Sequence, residues 1–205
     1  MVPTILVTGF GPFPGAPFNP TGTLVKRLAR LRPGNAKIVT HIFETSYAAV
    51  DRDLPKLIAH DRPRALLMFG LAGRARVLRI ETKAINTLAQ LPDAAGKTPH
   101  RTAIEAGGPP ALAMPAQAQR LLAALRRTGV PATRSRDAGT YLCNYLCWRA
   151  ARAANKAGGP QLAAFVHVPP VAAGRRPAKK GQVTLDDLVR AGAAVLTEVV
   201  EACLD

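Results

Sequence analysis

The chain has 205 residues, with 28 Lys or Arg against 13 Asp or Glu, a formal net charge of +15, and three cysteines. This length suits one domain that covers residues 1–205. An odd, small number of cysteines argues against a disulfide framework. The lack of a basic-then-apolar leader, or of any apolar run of about 18 residues, predicts a cytoplasmic protein without a membrane segment.

The positive charge is the feature that most suggests nucleic-acid binding. Basic residues cluster at Lys26, Arg27 and Arg30, at Arg126 and Arg127, and in a loop with Arg175, Arg176, Lys179 and Lys180. Such clusters attract phosphate backbones without reading sequence. However, the positive residues are spread along the whole chain and are not interleaved with aromatic residues. We therefore interpret the charge as solvated surface and expect no nucleic-acid partner, with a basic nucleic-acid-binding protein kept as an alternative.

Strand and helix signals alternate along the chain. Apolar runs predict strands at residues 4–8, 37–43, 65–69, 130–135 and 162–166, and helical spacing predicts helices at 20–30, 47–60, 116–127, 140–155 and from 184 onward. Asn19 can cap the first helix and Thr184 the last, whereas Pro55 can kink or interrupt the second. The alternation predicts an α/β sandwich with a mainly parallel sheet.

Two segments do not follow this pattern. Residues 90–115 contain five prolines and three glycines without a clear period, which predicts a long functional loop or an irregular hairpin. Residues 9–15 imitate a glycine-rich dinucleotide fingerprint, but Pro14 stands where the third glycine belongs, so we expect no nicotinamide or flavin cofactor. Phe10 and Phe13 in this segment instead suggest an aromatic-walled pocket for a small flat ligand, with ordinary core packing as the alternative.

Cys143 and His167 are the pair that most suggests chemistry. Cys143 falls in the first turn of a predicted helix, where unpaired amides favour a thiolate, and His167 ends a predicted buried strand. Ligands bind at the carboxyl ends of strands in open α/β sheets, so the two side chains can meet there. The alternatives are a buried packing cysteine and a hydrogen-bonded structural histidine. Cys147 could share a metal with Cys143, but without a nearby second histidine we expect no metal and interpret Cys147 and Cys203 as packing residues.

An ordered set of motifs resembles the pyroglutamyl peptidase I family of cysteine peptidases. The motifs are Gly9-Phe10 with Phe13 and Asn19-Pro20, Glu81 with Ile85-Asn86, Leu91-Pro92-Asp93, Gly107-Gly108-Pro109, Ala138-Gly139-Thr140-Tyr141-Leu142-Cys143-Asn144 and Phe165-Val166-His167-Val168-Pro169. They occur in family order from the first strand to the last helix. The resemblance implies a three-layer α/β/α sandwich with a mainly parallel, mixed sheet.

The resemblance also assigns roles to individual residues. It implies a triad of Cys143, His167 and Glu81, in which the carboxylate fixes the tautomer of the histidine. The implied substrate-binding residues are Phe10, Phe13, Asn19, Thr45, Leu71, Leu91 and Leu142. Such a site would remove an N-terminal pyroglutamyl residue from peptides through an acyl-enzyme, without a cofactor.

Family likeness further implies a homo-oligomer, with a tetramer common among members. Three positions depart from the usual pattern: Leu71 replaces a frequent glutamine, and Thr82 and Gln90 each replace a frequent arginine. These departures keep open a diverged member that binds a lactam or a peptide end with little or no turnover.

Overall fold

The computed structural model describes residues 2–31, 33–172 and 181–205, so the basic loop with Arg175, Arg176, Lys179 and Lys180 lies outside the described residues. Its strands are β1 (Thr4–Phe10), β2 (Lys37–Phe43), β3 (Ala65–Leu71), β4 (Leu78–Glu81), β5 (Lys83–Ile85), β6 (Ala111–Ala113), β7 (Ala132–Ser135) and β8 (Leu162–Val168). Its helices are α1 (Pro20–Leu28), α2 (Tyr47–Asp61), α3 (Ala118–Arg127), α4 (Leu142–Ala154) and α5 (Leu185–Leu204).

Among the described residues, six strands form the main sheet in the order β2-β1-β3-β8-β4-β7. All neighbours are parallel except β4 and β8, which pair antiparallel. Helices α1 and α3 both pack against α5, whereas α2 packs against α4. The predicted α/β/α sandwich with a mainly parallel, mixed sheet is therefore confirmed.

The central strands show why the apolar runs predicted them. Every residue of β8 is buried, as are all residues of β1 after Thr4 and of β3 before Leu71. Helices cover both faces of these strands, so an alternating apolar and polar pattern would place polar side chains in the core.

The helix ends follow the predicted caps. Asn19 Oδ1 accepts from the N–H of Thr21 at 3.1 Å, and Thr184 with Asp187 forms a capping box. Pro55 does not interrupt α2, which is continuous to Asp61. Helices α3 and α4 each begin two residues later than predicted, at Ala118 and Leu142.

The short strands β4 and β5 were not predicted, because charged residues interrupt their patterns. Arg79 and Glu81 lie in β4, and Lys83 opens β5. Strand β5 pairs antiparallel with β6, which lies near the end of the predicted irregular segment 90–115. In the part of the chain that the structure describes, no helix is long and apolar enough to cross a membrane.

Candidate active site

Cys143 is the second residue of α4 and is half-buried. Tyr141, at the N-cap position, makes no side-chain capping bond, so its side chain does not accept a hydrogen bond from the first-turn amides. The positive end of the helix dipole therefore lies beside the thiol and can stabilise negative charge there.

His167 lies opposite Gly70 in the parallel pairing of β8 with β3, and its side chain is 7% exposed. Its Nδ1 is 2.8 Å from Oε1 of Glu81, a carboxylate that is completely buried. The antiparallel pairing of β4 with β8 places Glu81 opposite Phe165, so Glu81 and His167 are diagonal neighbours on one face of the sheet. A proton on Nδ1 is thus donated to the carboxylate, which leaves Nε2 for a second partner.

Cys143 is close enough to His167 for its charge and a side-chain hydrogen bond to act on the pKa of the imidazole. Burial of the ring lowers the pKa of His167, but the charge and hydrogen bond of Cys143, together with the hydrogen bond and charge of Glu81, raise it overall to about 9. At neutral pH the site therefore holds a protonated imidazole between a sulfur atom and a carboxylate. The second oxygen of Glu81, Oε2, has no hydrogen-bond partner among the described residues, so His167 is the principal counter-charge of this buried carboxylate.

Gly70, at the end of β3, allows the backbone to approach the thiol. A Cβ atom at this position would lie 2.8 Å from Cys143 Sγ and 2.5 Å from Cζ of Phe165. Both distances are shorter than real carbon contacts, so a side chain here would displace the nucleophile or the ring beneath it. Sequence reasoning did not identify this residue, although it directly precedes Leu71.

The residues expected to bind substrate occupy different environments. Phe10 is buried with its ring centroid 5.9 Å from that of Phe43, and Phe13 is half-buried with its backbone bonded to Ala16. Leu142 is buried directly before Cys143, whereas Leu71 is half-buried at the end of β3.

Asn19 and Thr45 share one acceptor. Asn19 Nδ2 and Thr45 Oγ1 each donate to the carbonyl of Gly11 at 3.0 Å. These two bonds fix the loop that carries Phe13 against Thr45, two residues after the end of β2.

Leu91 is 57% exposed and lies on a loop that is anchored through its neighbours. Asp93 accepts from the N–H groups of Tyr47, Ala95 and Lys97, and Tyr141 donates its hydroxyl proton to the carbonyl of Pro92 at 2.9 Å. The loop is therefore attached both to the start of α2 and to the residue before α4.

Asn144 is a second anchor that sequence reasoning passed over as part of a motif. Its side chain accepts from the N–H of Ile85 and donates to the carbonyl groups of Ile85 and Thr87. The segment after β5 is therefore tied to α4 one residue beyond the thiol. The sequence signal was its place at the end of the motif that carries Cys143.

The two remaining departures from the family pattern form tethers of their own. The N–H and Oγ1 of Thr82 both donate to the carbonyl of Ser135, at 2.8 and 2.7 Å. Gln90 donates through Nε2 to the carbonyl of Arg101. Thr82 thus links the end of β4 to the end of β7, and Gln90 closes the loop around Leu91.

Cys147 and Cys203 are buried in the hydrophobic core, as expected of packing residues. Burial, with smaller effects of Cys143 and Glu81, raises the pKa of the Cys147 thiol well above its usual value. Among residues 2–31, 33–172 and 181–205, no group of three or more His, Cys, Asp or Glu side chains could hold a metal ion.

Comparison with known proteins gives a consistent result over almost the whole chain. Residues 3–200 match the family model described as pyroglutamyl peptidase. Pyrrolidone-carboxylate peptidase 1 of Ralstonia nicotianae is 37% identical over 169 residues, which are 82% of this chain and 79% of that protein. The pyrrolidone-carboxylate peptidase of Clavibacter michiganensis is 33% identical over 99% of this chain and 93% of its own length.

Solved structures agree with the sequence matches. Pyrrolidone carboxyl peptidase from Thermococcus litoralis superimposes with a TM-score of 0.88 at 28% identity, over 98% of this chain and 94% of that chain. Pyroglutamyl peptidase I of Bacillus amyloliquefaciens superimposes with a TM-score of 0.86 at 28% identity, over 97% of both chains.

Proposed function

Because the chain belongs to the pyroglutamyl peptidase family, we propose that it is a cysteine peptidase that hydrolyses the amide bond after an N-terminal pyroglutamyl residue. The observation that supports this most strongly is the buried Glu81–His167 hydrogen bond, with the half-buried Cys143 close enough to act on the imidazole. Acyl transfer by a cysteine peptidase requires a nucleophile next to a proton shuttle, and a carboxylate that orients the shuttle.

In the proposed reaction, Cys143 attacks the carbonyl carbon of the pyroglutamyl residue as a thiolate. The first-turn amides of α4 stabilise the oxygen of the tetrahedral intermediate. Protonated His167 then gives its proton to the leaving amine, which departs as the shortened peptide. Water, deprotonated by His167, hydrolyses the acyl-enzyme and releases pyroglutamate.

Glu81 takes no direct part in bond making. Its carboxylate holds Nδ1 of His167 in the protonated form and stabilises the imidazolium. Every proton is exchanged between the thiol, the imidazole, water and the leaving amine, so the proposed reaction needs no metal or organic cofactor.

We assign the recognition of the lactam ring to the sequence-derived pocket residues. Phe10 and Phe13 would contact the flat faces of the ring, with Thr45, Leu71, Leu91 and Leu142 around it, and Asn19 would fix the loop. The bonds of Asn19 and Thr45 to Gly11 support the part of this assignment that concerns the loop. We also propose that the protein acts as a homo-oligomer in the cytoplasm.

A pyroglutamyl chromogenic amide tests the function directly. We expect wild-type protein to hydrolyse it under reducing conditions and the variant Cys143→Ser to lose nearly all turnover. The matched prolyl amide should be hydrolysed at least about a hundredfold more slowly, because its charged amine would be buried without a partner.

Two outcomes would contradict the proposal. Wild-type protein that binds pyroglutamyl peptides without cleaving them would support the diverged binder that Leu71, Thr82 and Gln90 keep open. Equal turnover of prolyl and pyroglutamyl amides would leave the thiol chemistry standing and overturn the substrate assignment.

A further inference from the structure

A second concave site lies beside β7, the edge strand of the main sheet. It is a cavity of about 680 Å³ whose polar lining is Arg126, Arg134, Arg136, Thr82, Thr133 and Gln119. A neighbouring depression shares Thr82 and Arg136 with it and adds Lys83. We call the first cavity the arginine groove, after Arg126, Arg134 and Arg136.

Among the residues that the structure describes, the three guanidinium groups have no acidic partner. None of them forms a salt bridge within the described residues, and no carboxylate lines the groove. Helix α3 shows the contrast directly: Arg120 and Arg127 pair with the buried Glu198 of α5, whereas Arg126, next to Arg127 in sequence, lines the groove instead. The groove therefore concentrates positive charge that no carboxylate in residues 2–31, 33–172 and 181–205 neutralises by an ion pair.

Thr82 in the groove directly follows Glu81, but the arginines of the groove and the nucleophile belong to different elements. Arg126 belongs to α3, which packs against α5, and Arg134 belongs to the edge strand. Cys143 is the second residue of α4, which packs with α2 in the other helical layer. A ligand in the groove would consequently not need to be a substrate of the peptidase.

The composition of the lining selects the chemistry of the ligand. Guanidinium groups bind the oxygen atoms of phosphate in a bidentate manner, and three of them around one cavity match several phosphate charges better than a single carboxylate. In the described part of the chain no aromatic side chain lines the groove, so a base would find no stacking surface there. We propose that the arginine groove binds linear chains of phosphate groups, either free oligophosphate or the sugar-phosphate backbone of a nucleic acid, without reading bases.

The test uses tripolyphosphate as the probe and calorimetry at physiological ionic strength. The groove variant carries Arg126→Gln, Arg134→Gln and Arg136→Gln. The control variant carries Lys26→Gln, Arg30→Gln and Lys56→Gln. These substitutions remove the same charge from exposed positions outside the groove: Lys26 lies in α1, Arg30 shortly after α1, and Lys56 in α2. We expect the groove variant to bind at least about tenfold more weakly than wild type, and the control to change by less than about threefold.

Two further probes identify the source of the phosphate. An oligothymidylate of about 12 nucleotides tests the nucleic-acid backbone, and its salt dependence should be shallower by about 2 in logarithmic slope for the groove variant. Binding of tripolyphosphate alone assigns the groove to free oligophosphate, whereas binding of the oligothymidylate, with or without tripolyphosphate, assigns it to nucleic acid.

Three results would overturn the inference. They are no binding of either phosphate probe by wild type, an equal loss in the groove and control variants, and equally tight, groove-dependent binding of polyglutamate, which would show a site for acidic peptides. The groove variant should keep wild-type hydrolysis of a pyroglutamyl amide, so this test stands or fails independently of the peptidase assignment.

Discussion

The nucleophile, the imidazole and the carboxylate lie on regular elements of the fold, whereas most side chains proposed to hold the lactam lie on loops. His167 and Glu81 are fixed by the register of β8 and β4, and Cys143 by the start of α4. Phe13 and Asn19 lie between β1 and α1, and Thr45 lies between β2 and α2. Regular secondary structure thus positions the first set, through sheet register for His167 and Glu81 and through the helix start for Cys143.

The loop set depends on side chains that bond to the main chain. Asn19 and Thr45 hold the carbonyl of Gly11, and Asp93 holds the loop around Leu91 at the start of α2. Recognition can therefore be weakened by removing one hydrogen bond, while the chemistry requires a change at the sulfur, the ring or the strands beneath them. Substitutions in the two regions should separate into losses of kcat and increases in KM.

The largest effect should follow removal of the nucleophile. We expect Cys143→Ala to lower kcat/KM by about 10⁵-fold or more, and His167→Ala nearly as much, because these residues act as a unit. Iodoacetamide should modify Cys143 in the wild type far faster than Cys147, which is fully buried one turn later on the same helix. Peptide mass mapping checks this, and labelling of Cys147 first with activity retained would contradict the assignment.

The second effect concerns the pH profile. The pKa of His167 is raised to about 9, so activity that needs the protonated ring should decline as pH rises through about 9. Glu81→Gln removes a hydrogen bond and a charge that raise this pKa, so the alkaline limb of kcat/KM should move to lower pH. Activity at the optimum should fall by about a thousandfold without vanishing.

Glu198→Gln is the matched control, because Glu198 is also a buried carboxylate in an ion pair but lies on α5. It should lower thermal stability and leave the position of the alkaline limb unchanged. An unchanged limb in Glu81→Gln would show that the carboxylate does not act on His167.

The sequence predicted the strands and helix ends whose apolar and capping residues stand next to one another in the chain. The strands at 37–43 and 65–69 and the caps at Asn19 and Thr184 are read from neighbouring residues alone, and the structure confirms them. Strand β4 was missed because Glu81 is charged. A charge in this buried strand is stabilised by its hydrogen bond to His167, which lies 86 positions away in the sequence. Such pairings depend on the register of the sheet, which local patterns do not contain.

The residues of the candidate site also differ in whether local sequence could predict them. The helix start at Cys143 and the strand end at His167 could be read from the chain, but the third member, Glu81, came only from the family resemblance. Gly70 gave no signal, because the need for a missing Cβ arises from Cys143 and Phe165, which meet it only in the folded protein. Leu91 was expected to line a pocket from its motif, and its exposure reflects the loop that carries it.

Gly70 tests how closely the strand supports the nucleophile. The methyl group of Gly70→Ala would overlap Cys143 Sγ and Phe165, so we expect kcat/KM to fall by about a hundredfold through misplacement of the thiol. Gly73→Ala is the control, since a Cβ there meets nothing within 4 Å. Circular dichroism should show both variants folded. Equal activity of the two variants would mean that the backbone of β3 does not constrain the sulfur.

The smallest effect should come from the loop side of the comparison. Thr45→Val keeps the shape of a buried side chain and removes its hydrogen bond to the carbonyl of Gly11, which keeps the bond from Asn19. We expect KM for a pyroglutamyl amide to rise by about tenfold, since a lost hydrogen bond of this kind costs about 1 kcal/mol or somewhat more. The kcat value and the rate of Cys143 alkylation should stay close to those of the wild type, because neither the triad nor the start of α4 is touched. A fall in kcat with KM unchanged would show that this loop supports the chemistry, and the division between register-fixed catalysis and side-chain-anchored recognition would be wrong.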